Sequence, residues 1–257
     1  MERGARRLTW LGQAGFRVEI DGTVAVIDPW VTPHEDRLIP PAPLELAADG
    51  VQLLLITHEH FDHLDLPFLP DFLEHSPDAS VVLPAAIAAQ VDGVVPESRL
   101  VLVDPNDVIE VEGLEIHVVP AFHGVVFEDA YGDGSAVGGR PRFVGYALGR
   151  ARRIYHAGDT IVTDALSDAL GRLDVEVALL PINGRDAERE ARGIIGNMDA
   201  AEAVELALAV GARTLVPYHW DGFAGNTVQP ETAVDAADGR LDVVVPERFQ
   251  PVDLEVG

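Results

Sequence analysis

The chain has 257 residues, nearly half of them apolar, yet no run reaches the roughly 18 to 20 uncharged apolar residues that a bilayer-crossing helix needs. Acidic residues outnumber basic ones 43 to 18, and every basic residue is arginine, so lysine chemistry is excluded and the formal charge of −25 repels nucleic-acid phosphates. Cysteine is absent, which excludes disulfides and thiolate nucleophiles, confines any metal site to His, Asp and Glu, and suits a cytoplasmic protein with no membrane or nucleic-acid partner.

A chain of this length is expected to form one layered α/β domain over residues 1–257. Residues 8–20, interrupted by Gln13, Arg17 and Glu19, read as a first strand and not as an export signal. Short runs of Val, Ile and Leu bounded by turn signals follow at residues 23–27, 51–56, 114–119, 153–155, 177–182 and 213–216, the pattern of buried strands. The pairs Asp21-Gly22 and Glu112-Gly113 are hairpin-turn dipeptides. Helices are predicted over residues 66–74, 85–91, 164–173, 199–210 and 230–237. The fourth carries Asp199 as N-cap, Glu202 at the capping-box position, an apolar face of Ala203, Leu206, Ala207 and Val210, and a closing Gly211. Strands and hairpins first, then strands alternating with helices, suit two packed sheets with helices outside.

Five of these strands end in residues able to bind metal. Residues 23–27 end at Asp28, 51–56 at a His/Asp run, 114–119 at His123, 153–155 at Gly158-Asp159-Thr160, and 213–216 at Pro217-Tyr218-His219. The run is the strongest signal: His58, His60, Asp62 and His63 place four nitrogen and oxygen donors in one loop directly after a buried strand, where a rigid scaffold can aim them at a common point. Imidazole and carboxylate donors suit Zn, Mn, Fe or Ni without choosing among them.

The segment Thr57-His58-Glu59-His60-Phe61-Asp62-His63-Leu64-Asp65 resembles the signature of the metallo-β-lactamase superfamily, whose later single ligands are matched in order by His123, Asp159 and His219. The resemblance implies an α/β four-layer αββα sandwich. It further implies two divalent cations per chain, Zn2+ or Mn2+ ahead of iron, one held by His58, His60 and His123 and the other by Asp62, His63 and His219, with Asp159 between them. Asp28 would brace the metal loop without ligating. A narrower likeness, in Trp10-Leu11-Gly12-Gln13-Ala14-Gly15-Phe16, Leu180-Pro181-Ile182-Asn183-Gly184-Arg185, Gly196-Asn197-Met198 and residues 216–227, is to the L-ascorbate-6-phosphate lactonase branch, from which Gly222 departs where methionine is expected.

Such a site hydrolyses a lactone or a phosphoester with a water activated between the ions, Asp62 or Asp159 taking the proton. The expected substrate is a small anion, a sugar-acid or sugar-phosphate lactone, bound by Arg185 and Asn183, with Arg189 as a second candidate. Phosphodiester cleavage is the alternative on the same site, and an iron-dependent oxidoreductase of the same fold is the rival from another class. His156 is either a partner of Asp159 behind the metals or a hydrogen-bonded core residue; His34, His75 and His117 read as surface histidines. A homo-oligomer is compatible with the resemblance, and the sequence leaves the oligomeric state open.

Overall fold

The computed structural model describes residues 6–124, 136–137, 140–192 and 196–254. Its strands form two seven-stranded sheets. The first runs in the order β16 (Pro251–Asp253), β1 (Arg7–Gly12), β2 (Gly15–Ile20), β3 (Thr23–Ile27), β4 (Leu53–Leu55), β5 (Ser80–Pro84), β6 (Leu100–Val103). The second runs β15 (Asp242–Val243), β14 (Thr214–Tyr218), β13 (Val175–Pro181), β12 (Arg153–His156), β11 (Val144–Leu148), β8 (Leu114–Pro120), β7 (Val108–Val111). The short strands β9 (Ala136–Val137) and β10 (Arg140–Pro141) pair only with each other.

Side chains alternate across each strand, and in central strands such as β4 and β13 both faces are buried. In β4, Leu53 and Leu55 enter the core between the sheets while Leu54 enters a second core. In β13, Val177 and Leu179 join the shared core while Ala178 and Leu180 join a third. A strand buried on both faces needs cover on both. The helices Leu44–Ala48 and Leu69–His75 cover the first sheet through Ala47, Ala48, Leu69 and Phe72. Asp164–Leu170, Ala200–Ala209 and Glu231–Ala237 cover the second through Leu166, Ala203, Leu206 and Ala233. The result is the expected αββα sandwich. Among the described residues no helix is long and apolar enough to cross a membrane.

Three expectations change in detail. Residues 8–20 are a hairpin instead of one strand: Gly12 (φ 97°) and Gln13 (φ 51°) reverse the chain, and Trp10 pairs with Phe16. Residues 85–91 form 3-10 turns, and 66–74 split into a 3-10 turn at Leu66–Phe68 followed by the helix Leu69–His75. The capped helix is as read: Asp199 accepts from Glu202 N at 2.8 Å and Glu202 accepts from Asp199 N at 3.0 Å.

Strand direction positions the site. β3, β4, β5 and β6 are mutually parallel, as are β12, β13, β14 and β15, and β8 and β12 both run antiparallel to β11. The polar residues that follow β3, β4, β8, β12, β13 and β14 therefore leave carboxyl ends of strands, where open α/β sheets bind ligands.

Candidate metal centre

The loop after β4 is held from behind by Asp28. Its carboxylate accepts from Thr57 N at 2.8 Å and Thr57 Oγ1 at 2.5 Å, and lies 2.7 Å from His63 Nδ1, which turns His63 Nε2 outward. Asp28 has φ 44° and His219 φ 61°, a left-handed backbone that side-chain-bearing residues adopt at a cost and that clusters at functional sites. Asp65 ties the loop to the segment after Trp30 by accepting from Val31 N, Thr32 N and Thr32 Oγ1 at 2.8, 2.7 and 2.6 Å. Gly158 precedes Asp159 with φ 62°, and a β-carbon there would stand 2.7 Å from Val144 O, so only glycine lets this turn reach between the sheets.

These constraints gather seven donors. His58, His60 and His123 form one group whose ligand atoms lie within 4.8 Å of one another; His58, His63 and Asp159 form a second; Asp62, His63 and His219 a third. Two donors on one tetrahedral ion, each at about 2.1 Å, stand about 3.4 Å apart. The observed separations match: His219 Nε2 is 3.2 Å from Asp159 Oδ2 and 3.5 Å from Asp62 Oδ2, His63 Nε2 is 3.4 Å from Asp159 Oδ1, and His123 Nε2 is 3.5 Å from Asp159 Oδ2. His63 Nε2 and Asp159 Oδ1 are buried without a hydrogen-bond partner. Orphaned polar atoms of this kind are costly unless something else binds them, and a divalent cation fits both.

Charge divides the ring. Burial, with His63 and His60 nearby, holds His58 well below the usual imidazole range; burial and His123 push His60 down to about 4. His123 is lowered by burial although Asp159 opposes it. For His219 burial works downward but Asp159 and Asp62 outweigh it, raising its pKa to about 9. His63, also buried, is raised by Asp159, Asp62 and Asp28. Burial would raise the carboxyls, yet His63 and His219 hold Asp62 below the usual range, and His219, His63 and His123 do the same for Asp159.

Gln13, which sequence reasoning missed, reaches this ring from the β1–β2 turn. Its Nε2 donates to Asp62 Oδ2 at 2.8 Å and lies 3.0 Å from His219 Nε2, while its carbonyl accepts from His219 N at 3.3 Å. A β-carbon at Gly222 would be 2.1 Å from Gln13 Oε1, so the glycine that departs from the lactonase pattern makes room for this amide.

The other sequence-based candidates separate. His156 does not touch Asp159: its Nε2 lies 2.8 Å from Ala14 O, its Nδ1 accepts from Gly158 N at 3.1 Å, and its ring stacks on Tyr218, so it is the hydrogen-bonded core residue of the two readings, holding the turn before Asp159. His75 meets Asp71 O and His117 meets Glu115. His34 is stacked on Phe61.

A cavity of about 480 Å³ opens over the donors, within the range that holds small ligands. Asn183 lines it, bonded to Asn226 Oδ1 and accepting from Asn197 Nδ2. Arg185 is not among the residues that line it: it donates to Glu202 Oε1 at 2.9 Å and pairs with Glu190 at 3.3 Å, because the capping box of the helix Ala200–Ala209 presents Glu202 to it. The guanidinium in the cavity wall is that of Arg189, on the helix Ala187–Ala191, tied to Asp186 at 2.6 Å and Asn226 at 2.7 Å.

Two sheets covered by helices, with a His/Asp ring at their strand ends, define a metallo-hydrolase of the metallo-β-lactamase fold. Residues 23–220 match the beta-lactamase superfamily domain, and the chain belongs to that superfamily. A UPF0173 metal-dependent hydrolase of Methanopyrus kandleri is 36% identical over 232 residues, covering 88% of each chain, and one of Pyrobaculum calidifontis is 30% identical over 239 residues with the same coverage. The protein is thus a metal-dependent hydrolase. Igni18, described as a novel metallo hydrolase from Ignicoccus hospitalis, matches 99% of this chain and 100% of its own with a TM-score of 0.76 at 24% identity, a likeness of fold.

Proposed function

We propose that the protein is a lactonase of the L-ascorbate-6-phosphate lactonase type, acting on a small anionic sugar-acid or sugar-phosphate lactone with two divalent cations, Zn2+ or Mn2+. The observation that carries this reading is the donor ring itself, seven side chains spaced to hold ions beneath a cavity whose wall contains one arginine and three asparagines. His58, His60 and His123 would hold one cation, Asp62, His63 and His219 the other, and Asp159 would face both. When bound, such ions acidify a water toward a pKa of about 7 and polarise the carbonyl it attacks.

The chain's own residues do the rest. Asp62, fixed by Gln13, and Asp159 are the carboxylates positioned to take the proton as water adds and return it to the leaving alkoxide. Arg189 and the amides of Asn183 and Asn226 bind the anionic end. Charge at long range is unfavourable in a chain of net charge −25, so attraction has to be local, from this guanidinium and the cations.

The deciding experiment strips the metals, restores Zn2+ or Mn2+ separately, and assays lactones, sugar-phosphate lactones and phosphodiesters. Lactone turnover restored by one of these cations is expected. Turnover of phosphodiesters alone would move the activity to that bond, and iron retention with oxygen consumption would move it to the oxidoreductases. Arg189→Ala is expected to raise the KM for a phosphorylated lactone about tenfold with little change for an uncharged one, while Arg185→Ala changes neither.

A further inference from the structure

The cavity has two unlike kinds of lining. Besides the asparagines and Arg189, it is lined by the rings of Phe61 and Phe223. Phe61 lies between two metal-ligand candidates in sequence, yet it is 49% exposed. A single exposed phenylalanine on a loop would need no explanation. This one is part of a built surface. The His34 ring stacks on it at 4.6 Å with planes 20° apart; Trp30 and Phe223 meet it nearly at right angles, at 5.7 and 5.8 Å; and Trp30 and Phe223 stack on each other at 5.2 Å. Offset-stacked and edge-on contacts at these distances are favourable ring geometries.

Three separate segments supply these rings, and each is tied down. Arg37 lies over Trp30, its Cζ 4.2 Å from the ring centroid, with its guanidinium donating to the carbonyls of Trp30 and Ile39 at 2.8 and 3.0 Å. The segment of Phe223 is fastened to the same stretch by Leu38 N donating to Gly222 O at 2.9 Å. The apolar wall is therefore in place before a ligand arrives. Its cost is a large ring left facing water, and a ligand that covers the ring recovers it.

We infer that the substrate is amphipathic: an ester or lactone bearing a planar apolar group, aryl in the simplest case, that seats against Phe61 and Phe223 while its polar or anionic end meets Arg189 and the asparagines. This rests on the metal-dependent hydrolytic reading above and adds to its anionic end the requirement of one apolar face on the lactone or ester.

The test separates binding from turnover. Benzylphosphonate and methylphosphonate, which contain no hydrolysable ester, are titrated calorimetrically into Zn2+-loaded protein. Benzylphosphonate is expected to bind at least about tenfold more tightly. Phe223→Ala, outside the metal loop, is expected to remove most of that preference, as is Phe61→Ala, with metal content checked to be unchanged; Phe61→Tyr is expected to keep it. In parallel, a carboxylated phthalide and an aldonolactone of equal ring size are assayed for hydrolysis. Equal affinity for the two phosphonates, or a preference that survives both alanine variants, overturns the inference even if lactones are hydrolysed. A preference abolished by both variants supports it even if neither lactone is turned over, in which case the lactonase reading alone fails.

Discussion

His58, His60 and His123 on one side of the site, with His60 half-buried, and the buried Asp62, His63 and His219 on the other, are both donor triads, yet they stand ready for a cation in different ways. In the first, burial and neighbouring imidazoles keep the rings neutral, with His60 down at about 4. In the second, the carboxylates outweigh burial and keep the imidazoles charged, with His219 up at about 9. Neutral imidazole is the ligand form; an imidazolium must first lose its proton. The comparison teaches that burial alone does not prepare a ligand. A carboxylate beside a buried histidine is both a second ligand and a holder of the proton that competes with the metal.

The most damaging way to break the contrast is Asp62→Ala, which removes a ligand, a proton acceptor and a partner of His219 together. Hydrolysis is expected to fall by orders of magnitude while the circular-dichroism spectrum keeps its native shape, since the apolar strands are untouched; activity near the parent level would place the chemistry elsewhere. A subtler separation uses pH. Between about 6.5 and 9, a cation entering the second triad displaces a proton from His219, so competition titrations should show its affinity rising about tenfold per pH unit for each proton released, while the first triad stays nearly flat. Calorimetry in buffers of different ionisation enthalpy counts those protons directly.

Gln13→Ala sharpens the comparison on one side only. Removing the donor to Asp62 Oδ2 is expected to weaken the weaker of two metal-binding steps by about 10- to 100-fold and leave the other unchanged; equal losses in both steps would mean the amide supports the loop as a whole.

The smallest effect is expected in the stability of the chelated protein. The second triad's imidazoles have raised pKa values, so their contribution is fully present below the unfolded value near 6.5 and is lost as pH climbs through about 9. The first triad's imidazoles have lowered values, so they destabilise as pH falls from 6.5 toward about 4. Thermal melting of the chelated protein is therefore expected to peak near pH 6.5, and metal loading to flatten the profile. A plateau unchanged by chelation would refute the charge assignment of both triads.

How much of this was legible before the structure follows from the range of the interactions. The donor loop is local: His58, His60, Asp62 and His63 follow one apolar strand, and a strand end is visible in a few letters. The helix Ala200–Ala209 was equally plain, because its capping box is written within four residues. Gln13 was not, since its importance depends on Asp62 and His219, 49 and 206 residues away. That Arg189 lines the cavity while Arg185 is held by Glu202 turns on a carboxylate supplied by another helix. The aromatic wall needs three segments to converge, and no single one of Trp30, Phe61 or Phe223 announces it.

The pairing of β1 with β16 joins Arg7 to Asp253 across almost the whole chain. A nascent polypeptide leaving the ribosome therefore exposes the β1–β2 hairpin long before its neighbour on one margin has been made. The trio His58, His60 and His123 is available once the first half has emerged, whereas His219, on which Gln13 and Asp62 converge, is translated nearly a hundred residues later. The two donor triads are thereby completed at different points along the chain, His123 closing one set and His219 the other.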